Sequence, residues 1–162
     1  MDPCHDLQAS QPMRIPDEHW TGTPKEMHER ADKIMRAFEP AQHPQLGTIR
    51  FSRDGRDKTL SEKRTPHEFQ SVQALPELIR RGPVVATTAD RKGRQDIRAW
   101  HKLEHGLQIG DALYQAEITI KEFKDGSAIA HKFYLHRIKN VETSSPYIAD
   151  PALRPSRGPA GQ

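Results

Sequence analysis

The sequence predicts an α+β fold in which N-terminal helices pack on a four- to five-stranded antiparallel sheet. Two observations carry this prediction. The first is the stretch from Ile97 to Ile138, which reads as three successive strands. Ile97, Ala99, His101 and Leu103 alternate with Arg98, Trp100, Lys102 and Glu104. Tyr114, Ala116, Ile118 and Ile120 alternate with Gln115, Glu117, Thr119 and Lys121. Ile129, His131, Phe133 and Leu135 alternate with Ala130, Lys132, Tyr134 and His136. Period-two alternation of this length belongs to strands with one face on a core and one face in water. Ile109-Gly-Asp-Ala112 and Lys124-Asp-Gly-Ser127 supply the Gly and Asp residues that tight hairpin turns require. The second observation is that the helical signals all come before this meander, the order expected when helices cover one face of an antiparallel sheet.

Taken in order, residues 1–22 are polar and broken by Pro3, Pro12 and Pro16, and are expected to be disordered, with Trp20 docking back on the domain. A single α+β domain spans 23–142. It opens at Thr23-Pro-Lys-Glu26, a capping box with Pro at the first helical position. Met27, Ala31, Ile34, Met35 and Phe38 follow at helical spacing until Pro40 and Pro44 end the helix. Leu46 to Ser52 reads as a short strand, and Arg53-Asp-Gly-Arg-Asp-Lys-Thr59 as a basic turn. Thr65-Pro-His-Glu68 repeats the capping box before Phe69, Val72 and Leu75. Pro76 would break a helix interior, so two short helices are predicted, the second opened by Pro76 and capped by Gly82, with Leu78 and Ile79 facing the core. Pro83 to Ala89 is β-rich, and Asp90-Arg-Lys-Gly-Arg-Gln-Asp96 forms a charged hairpin loop. Residues 143–162 lack any period and read as a disordered tail.

Composition narrows the function classes. Hydrophobic residues make up 34% and aromatics 6% of 162 residues, so the core is small and comes from the middle of the chain. Lys and Arg number 25 against 22 Asp and Glu, an excess that permits an anionic partner without demanding one. The single cysteine, Cys4, excludes an internal disulfide framework and a zinc site built on thiolates. No apolar run has the length of a membrane span, and the N-terminus lacks the apolar core of a secretion signal. No cofactor and no membrane association are expected, because the glycines sit singly at turns and no nucleotide-binding loop is present.

Three segments carry a family resemblance. They are Ile49-Arg-Phe-Ser-Arg-Asp-Gly-Arg-Asp-Lys-Thr59; Leu75-Pro-Glu-Leu-Ile79 with Asp90-Arg-Lys-Gly-Arg-Gln-Asp-Ile97; and Tyr114 through Asp125-Gly126 to Phe133-Tyr-Leu-His136. Together they resemble a domain of phage and conjugative-element polyvalent proteins. That group is similar in layout to the barnase–EndoU–colicin E5/D–RelE-like nuclease fold. The likeness spans roughly residues 25–140. It implies a metal-independent ribonuclease-like toxin or effector domain, cytoplasmic or delivered into a target cell, with RNA and an immunity or inhibitor protein as partners. Position by position it implies roles for Arg53, Gly55, Lys58 and Thr59 in the basic turn, for His101, and for His136 in the last strand. Leu135 stands where the resemblance leads one to expect an acid, and Glu62 where it leads one to expect a histidine.

The residues support such chemistry independently. RNA cleavage without a metal needs a base for the 2′-hydroxyl, an acid for the departing 5′-oxygen, and a cation or hydroxyl for the phosphate. Histidine suits the first two tasks because its ordinary pKa is about 6.5. His136 and His101 are the acid and base candidates, Lys58 and Arg53 the phosphate holders, and Thr119 a lesser hydroxyl candidate. Lys121, Lys132 and Tyr134 share faces with these groups, and Arg56, Arg91, Lys92 and Arg94 in the two basic loops would bind nucleic acid. Trp100 could stack on a base, or be covered by a helix. By strict alternation His101 and His131 fall on the apolar faces of their strands as hydrogen-bonded core histidines, unless a β-bulge moves either one to the other face. Metal binding is not expected: His101 and His105 lie four apart on a strand, a spacing that does not converge. A non-catalytic RNA- or protein-binding module of the same fold is the rival function. The sequence leaves oligomeric state open.

Overall fold

The computed structural model describes residues 11–138. Its strands are β1 (Met13–Ile15), β2 (Ala41–His43), β3 (Gly47–Phe51), β4 (Val84–Thr88), β5 (Ile97–Ile109), β6 (Ala112–Phe123) and β7 (Ala128–Arg137). Its helices are α1 (Pro24–Arg36), α2 (Arg53–Ser61), α3 (Pro66–Gln70) and α4 (Leu75–Arg81), with a 3-10 turn, Ser71–Ala74, joining the last two. The α+β class stands, with helices leading into a β4–β7 meander whose neighbours are all antiparallel.

The sheet departs from the expected four or five antiparallel strands. It has seven strands in the order β1-β5-β6-β7-β3-β2, with β4 also on β5, and it is mixed. β1 runs parallel to the end of β5, Met13 beside Leu107, and β3 runs parallel to the start of β7, Ile49 beside Ala128. Parallel neighbours are joined by long crossovers and carry no local turn to announce them. The segment expected to be disordered departs in part: β1 joins the sheet, while Trp20, 3% exposed, docks on the domain as expected, and residues 1–10 lie outside the described residues. The tail expected at 143–162 lies outside the described residues.

Both capping boxes form. The Thr23 hydroxyl accepts the Glu26 amide at 3.1 Å while Glu26 accepts the Thr23 amide at 2.8 Å. Thr65 and Glu68 repeat the exchange at 3.2 and 2.8 Å. Met27, Ala31 and Met35 of α1 and Phe69, Leu75, Leu78 and Ile79 of the later helices then enter one core with Leu103, Ile118, Phe133 and Leu135 on the inner face of the sheet.

Two further expectations are corrected. The basic stretch 53–59 is not a turn but most of α2, capped by Ser52, whose hydroxyl accepts the Gly55 amide at 3.0 Å. Its buried residues are Gly55, Thr59 and Leu60, too few apolar side chains to produce a periodic signal. It lies against β7 so closely that a Cβ on Gly55 would stand 2.2 Å from the Ala130 carbonyl oxygen. The second correction is in β7. Thr119 pairs with Lys132 but Ile120 pairs with Ala130, so His131 is an extra residue opposite β6. Such a bulge reverses the parity of everything on one side of it. Ala128, Ala130, Phe133 and Leu135 face the core, while Ile129 and His131 turn to the outer face.

Candidate functional site

On the outer face Trp100, Lys102, Glu117, Thr119, Lys121, Lys132 and Tyr134 are half-buried and His136 is exposed, whereas Leu103, Ile118, Phe133 and Leu135 on the inner face are buried. This open face gathers cations and rings across three strands. On β5 stand Trp100 and Lys102; on β6, Glu117, Thr119 and Lys121; on β7, His131, Lys132, Tyr134 and His136. The pairing Trp100–Lys121, Lys102–Thr119–Lys132 and Glu117–Tyr134 places them in adjacent rows.

Around Trp100 the contacts are aromatic and cationic. Lys121 Nζ lies 5.3 Å and the Arg94 guanidinium 5.8 Å from the indole centroid. His131 meets the indole edge-on at 4.8 Å. The Asp90 carboxylate accepts the indole N–H at 2.9 Å. The Arg94 hydrogen bonds, with that indole N–H, hold the Asp90 carboxyl far below the usual range. Desolvation and the neighbouring Lys121 and Lys58 ammonium groups push His131 down to about 4, so it is a neutral imidazole.

The second cluster is His136. Its Nε2 lies 3.1 Å from Glu117 Oε1, with a side chain 56% exposed. Lys102 reaches the same carboxylate at 3.8 Å. Lys132 Nζ donates to the Tyr134 hydroxyl oxygen at 2.8 Å, a bond that raises the Lys132 pKa and leaves the phenol proton free to donate. Tyr134 and His136 rings are 6.1 Å apart. Imidazole, carboxylate, phenol and two ammonium groups thus meet on a surface open to solvent.

The structure brings His136, Thr119, Lys121, Lys132 and Tyr134 to one face. It does not bring His101 there. His101 pairs with Ile120, an inner-face residue, while His136 pairs with Gln115 on the outer face, so the two histidines lie on opposite sides of the sheet. His101 is 8% exposed and bonded at both nitrogens, to Thr87 Oγ1 at 2.8 Å and Glu122 Oε1 at 2.7 Å. Lys58 is paired with Asp54 at 3.3 Å, and Arg56 with Asp32 at 3.3 Å. Arg53 opens α2 with its side chain exposed, and Gly55 and Thr59 are buried contacts of that helix. Arg91 and Lys92 are exposed in the loop before β5, and Arg94 there is held by Asp90.

Glu117 is the candidate the sequence reading passed over, although its parity with Thr119 and Lys121 was visible. A second polar cluster escaped it for want of any local signal. His67 bonds the Tyr114 hydroxyl at 2.6 Å and Asp17 at 2.7 Å, beside a pocket of about 540 Å³ that Trp20, Leu135 and Arg137 also line. Its partners come from three separate regions of the chain. Among the described residues no three His, Cys, Asp or Glu side chains are grouped as metal ligands, and no helix is long and apolar enough to cross a membrane.

Comparison with known proteins adds a family. No curated protein and no solved structure matches the chain. The model of the large polyvalent protein-associated domain 3 matches residues 24–134, from the first residue of α1 to Tyr134 on the outer face of β7. With its core helices and meander inside that match, the chain belongs to the large polyvalent protein-associated domain 3 family.

Proposed function

We propose that this domain binds single-stranded RNA on the outer face of its sheet and cleaves it without a metal ion, as an effector module within a polyvalent protein. The observation that carries the reading is the His136–Glu117 pair, set among Lys102, Lys132 and Tyr134 on an open face that also presents Trp100. Rings interleaved with cations suit single-stranded RNA, since bases stack on aromatic faces and phosphates meet ammonium groups. His136, oriented by Glu117, takes the proton of the 2′-hydroxyl. The 2′-oxygen attacks phosphorus, the bond to the 5′-oxygen breaks, and the Tyr134 hydroxyl gives its proton to that oxygen. Lys102 and Lys132 offset the charge building on the phosphate. His101, on the inner face, positions the sheet rather than touching RNA. The order of helices before an antiparallel meander supports a likeness to the barnase–EndoU–colicin E5/D–RelE-like nucleases, with β1 on one side of the meander and the β3–β2 pair on the other as additions.

A second reading, an RNA-binding module without turnover, is favoured by one observation. The His136 side chain is 56% exposed, so little water is excluded from the pair. The deciding experiment incubates the protein with total cellular RNA, with and without EDTA, beside His136→Ala and Glu117→Gln. Cleavage should survive EDTA and fall by about 10²-fold or more in His136→Ala, the scale of a lost acid–base group. The melting temperature should stay nearly unchanged, because the residue is exposed. Cleavage that persists in His136→Ala removes it from the chemistry. Salt-sensitive binding with no turnover in any variant establishes the second reading.

A further inference from the structure

His131 takes no part in the His136 chemistry, yet it is the least satisfied group on the same face. Its Nδ1 is buried without a hydrogen-bond partner. An unpaired buried polar atom costs about 1–3 kcal/mol. The charged groups that bear most on the ring come from three elements: Lys121 of β6, Lys132 of β7 itself, and Lys58 and Asp54 of α2. The indole of Trp100, on β5, closes one side at 4.8 Å and brings no charge. Lys121 and His131 flank that same indole. Asp54 is already paired with Lys58, so Lys121 and Lys132 carry most of the uncompensated charge.

Lys121 across the Trp100 indole from His131, and Lys132 next to it in sequence, favour an anion. They also keep the imidazole neutral while no anion is present, since burial and the cations both oppose its charging. An anion seated among the lysines would reverse the field at the ring. We propose that Lys121, Lys132 and Lys58 form with His131 a phosphate-binding subsite for an RNA phosphodiester, and that a bound phosphate strengthens the hold of His131 on a proton. The subsite rests on the reading of the outer face as an RNA-binding surface. It adds the group that holds a phosphate beside Trp100, and it makes binding depend on pH. Affinity must rise as pH falls between the bound and free midpoints of His131, about tenfold for each unit separating them.

The test follows the His131 ring Cε1–H resonance through a pH titration of the whole protein, alone, with inorganic phosphate, and with a short oligouridylate. The midpoint should rise by a unit or more on saturation with the oligouridylate, and move in the same direction with phosphate. In Lys121→Ala the midpoint of the free protein should already be higher, because a repelling cation is gone, and the further rise on binding should shrink. An oligouridylate that binds while the His131 midpoint stays fixed overturns the subsite and leaves the RNA-binding surface standing. An oligouridylate that does not bind at all removes the surface, and the subsite with it.

Discussion

Lys63 carries its ammonium group into the core, 3% exposed, where it donates to the Phe133 carbonyl at 2.5 Å and lies 4.5 Å from the Phe133 ring centroid. Burial pushes its pKa down to about 8 from an ordinary 10.5. Between those values the unfolded chain binds a proton that the native protein has released, so stability rises with pH across that interval. The gain is of the order of 3 kcal/mol for a shift this size. Below pH 8 the penalty for the buried charge is present in full. Lys63→Met, which keeps the volume and drops the charge, should therefore be the more stable protein at pH 7, by about 1–2 kcal/mol after loss of the bond to Phe133. Its advantage should shrink toward pH 10. Urea unfolding of both proteins at the two pH values checks this, and an advantage independent of pH would mean that Lys63 stays protonated throughout. Nothing around Lys63 in sequence announces its burial: it follows Glu62 and precedes Arg64 in what reads as a solvated stretch. The side of His101 was legible, because alternation with Leu103 puts it on the inner face, where the structure has it. His131 was not, because one inserted residue in β7 reverses its side, and no residue type marks that insertion.

At the scale of elements, helices whose ends carry their own chemistry were readable and those held by tertiary contact were not. Thr23 and Thr65, each with Pro next and Glu three residues on, specify the starts of α1 and α3 from four residues apiece. The third, α2, owes its place to backbone contact with β7. Gly55 in its first turn lets the helix rest on the Ala130 carbonyl. This gives a prediction whose sign is diagnostic. Gly→Ala inside a helix ordinarily stabilises by about 1 kcal/mol. Here the added methyl would stand 2.2 Å from a carbonyl oxygen that belongs to a strand and cannot swing aside. Gly55→Ala should destabilise by about 2–3 kcal/mol, the cost of forcing packed elements apart. Chemical denaturation measures it directly, and a stabilised variant would show that α2 does not lean on β7. Because α2 also delivers Lys58 toward His131, the same variant should weaken RNA binding on the outer face if the reading of that face holds.

For the whole molecule, the division between a helical layer and a meander followed from the order of the patterns along the chain, but the edges of the sheet did not. β1 and β3 pair with strands about 80–95 residues away in sequence, and pairing over such distances is set by the packed core rather than by local residues. The segment before Thr23 shows the consequence. It lies ahead of the family match, which begins at residue 24, yet it supplies β1 along the edge of β5, Trp20 to the core, and Asp17 to the His67–Tyr114 pair. The His67 hydrogen bond holds the Asp17 carboxyl below its ordinary value, so the stabilisation from that pair is present above about pH 4 and fades as pH falls further. A chain begun at Thr23 would uncover the Leu107–Ile109 edge and the space that Trp20 fills. Trp20→Ala alone should cost about 3–5 kcal/mol. The truncated chain should lose at least as much and associate through its bared strand edge. Urea unfolding, with light scattering to detect association, compares the two. If the truncated chain unfolds at the midpoint of the full protein, the matched region is a complete folding unit and the N-terminal segment an ornament. If it falls with Trp20→Ala, the folded domain begins ahead of the matched region, and excised pieces used to test RNA cleavage must start before Met13.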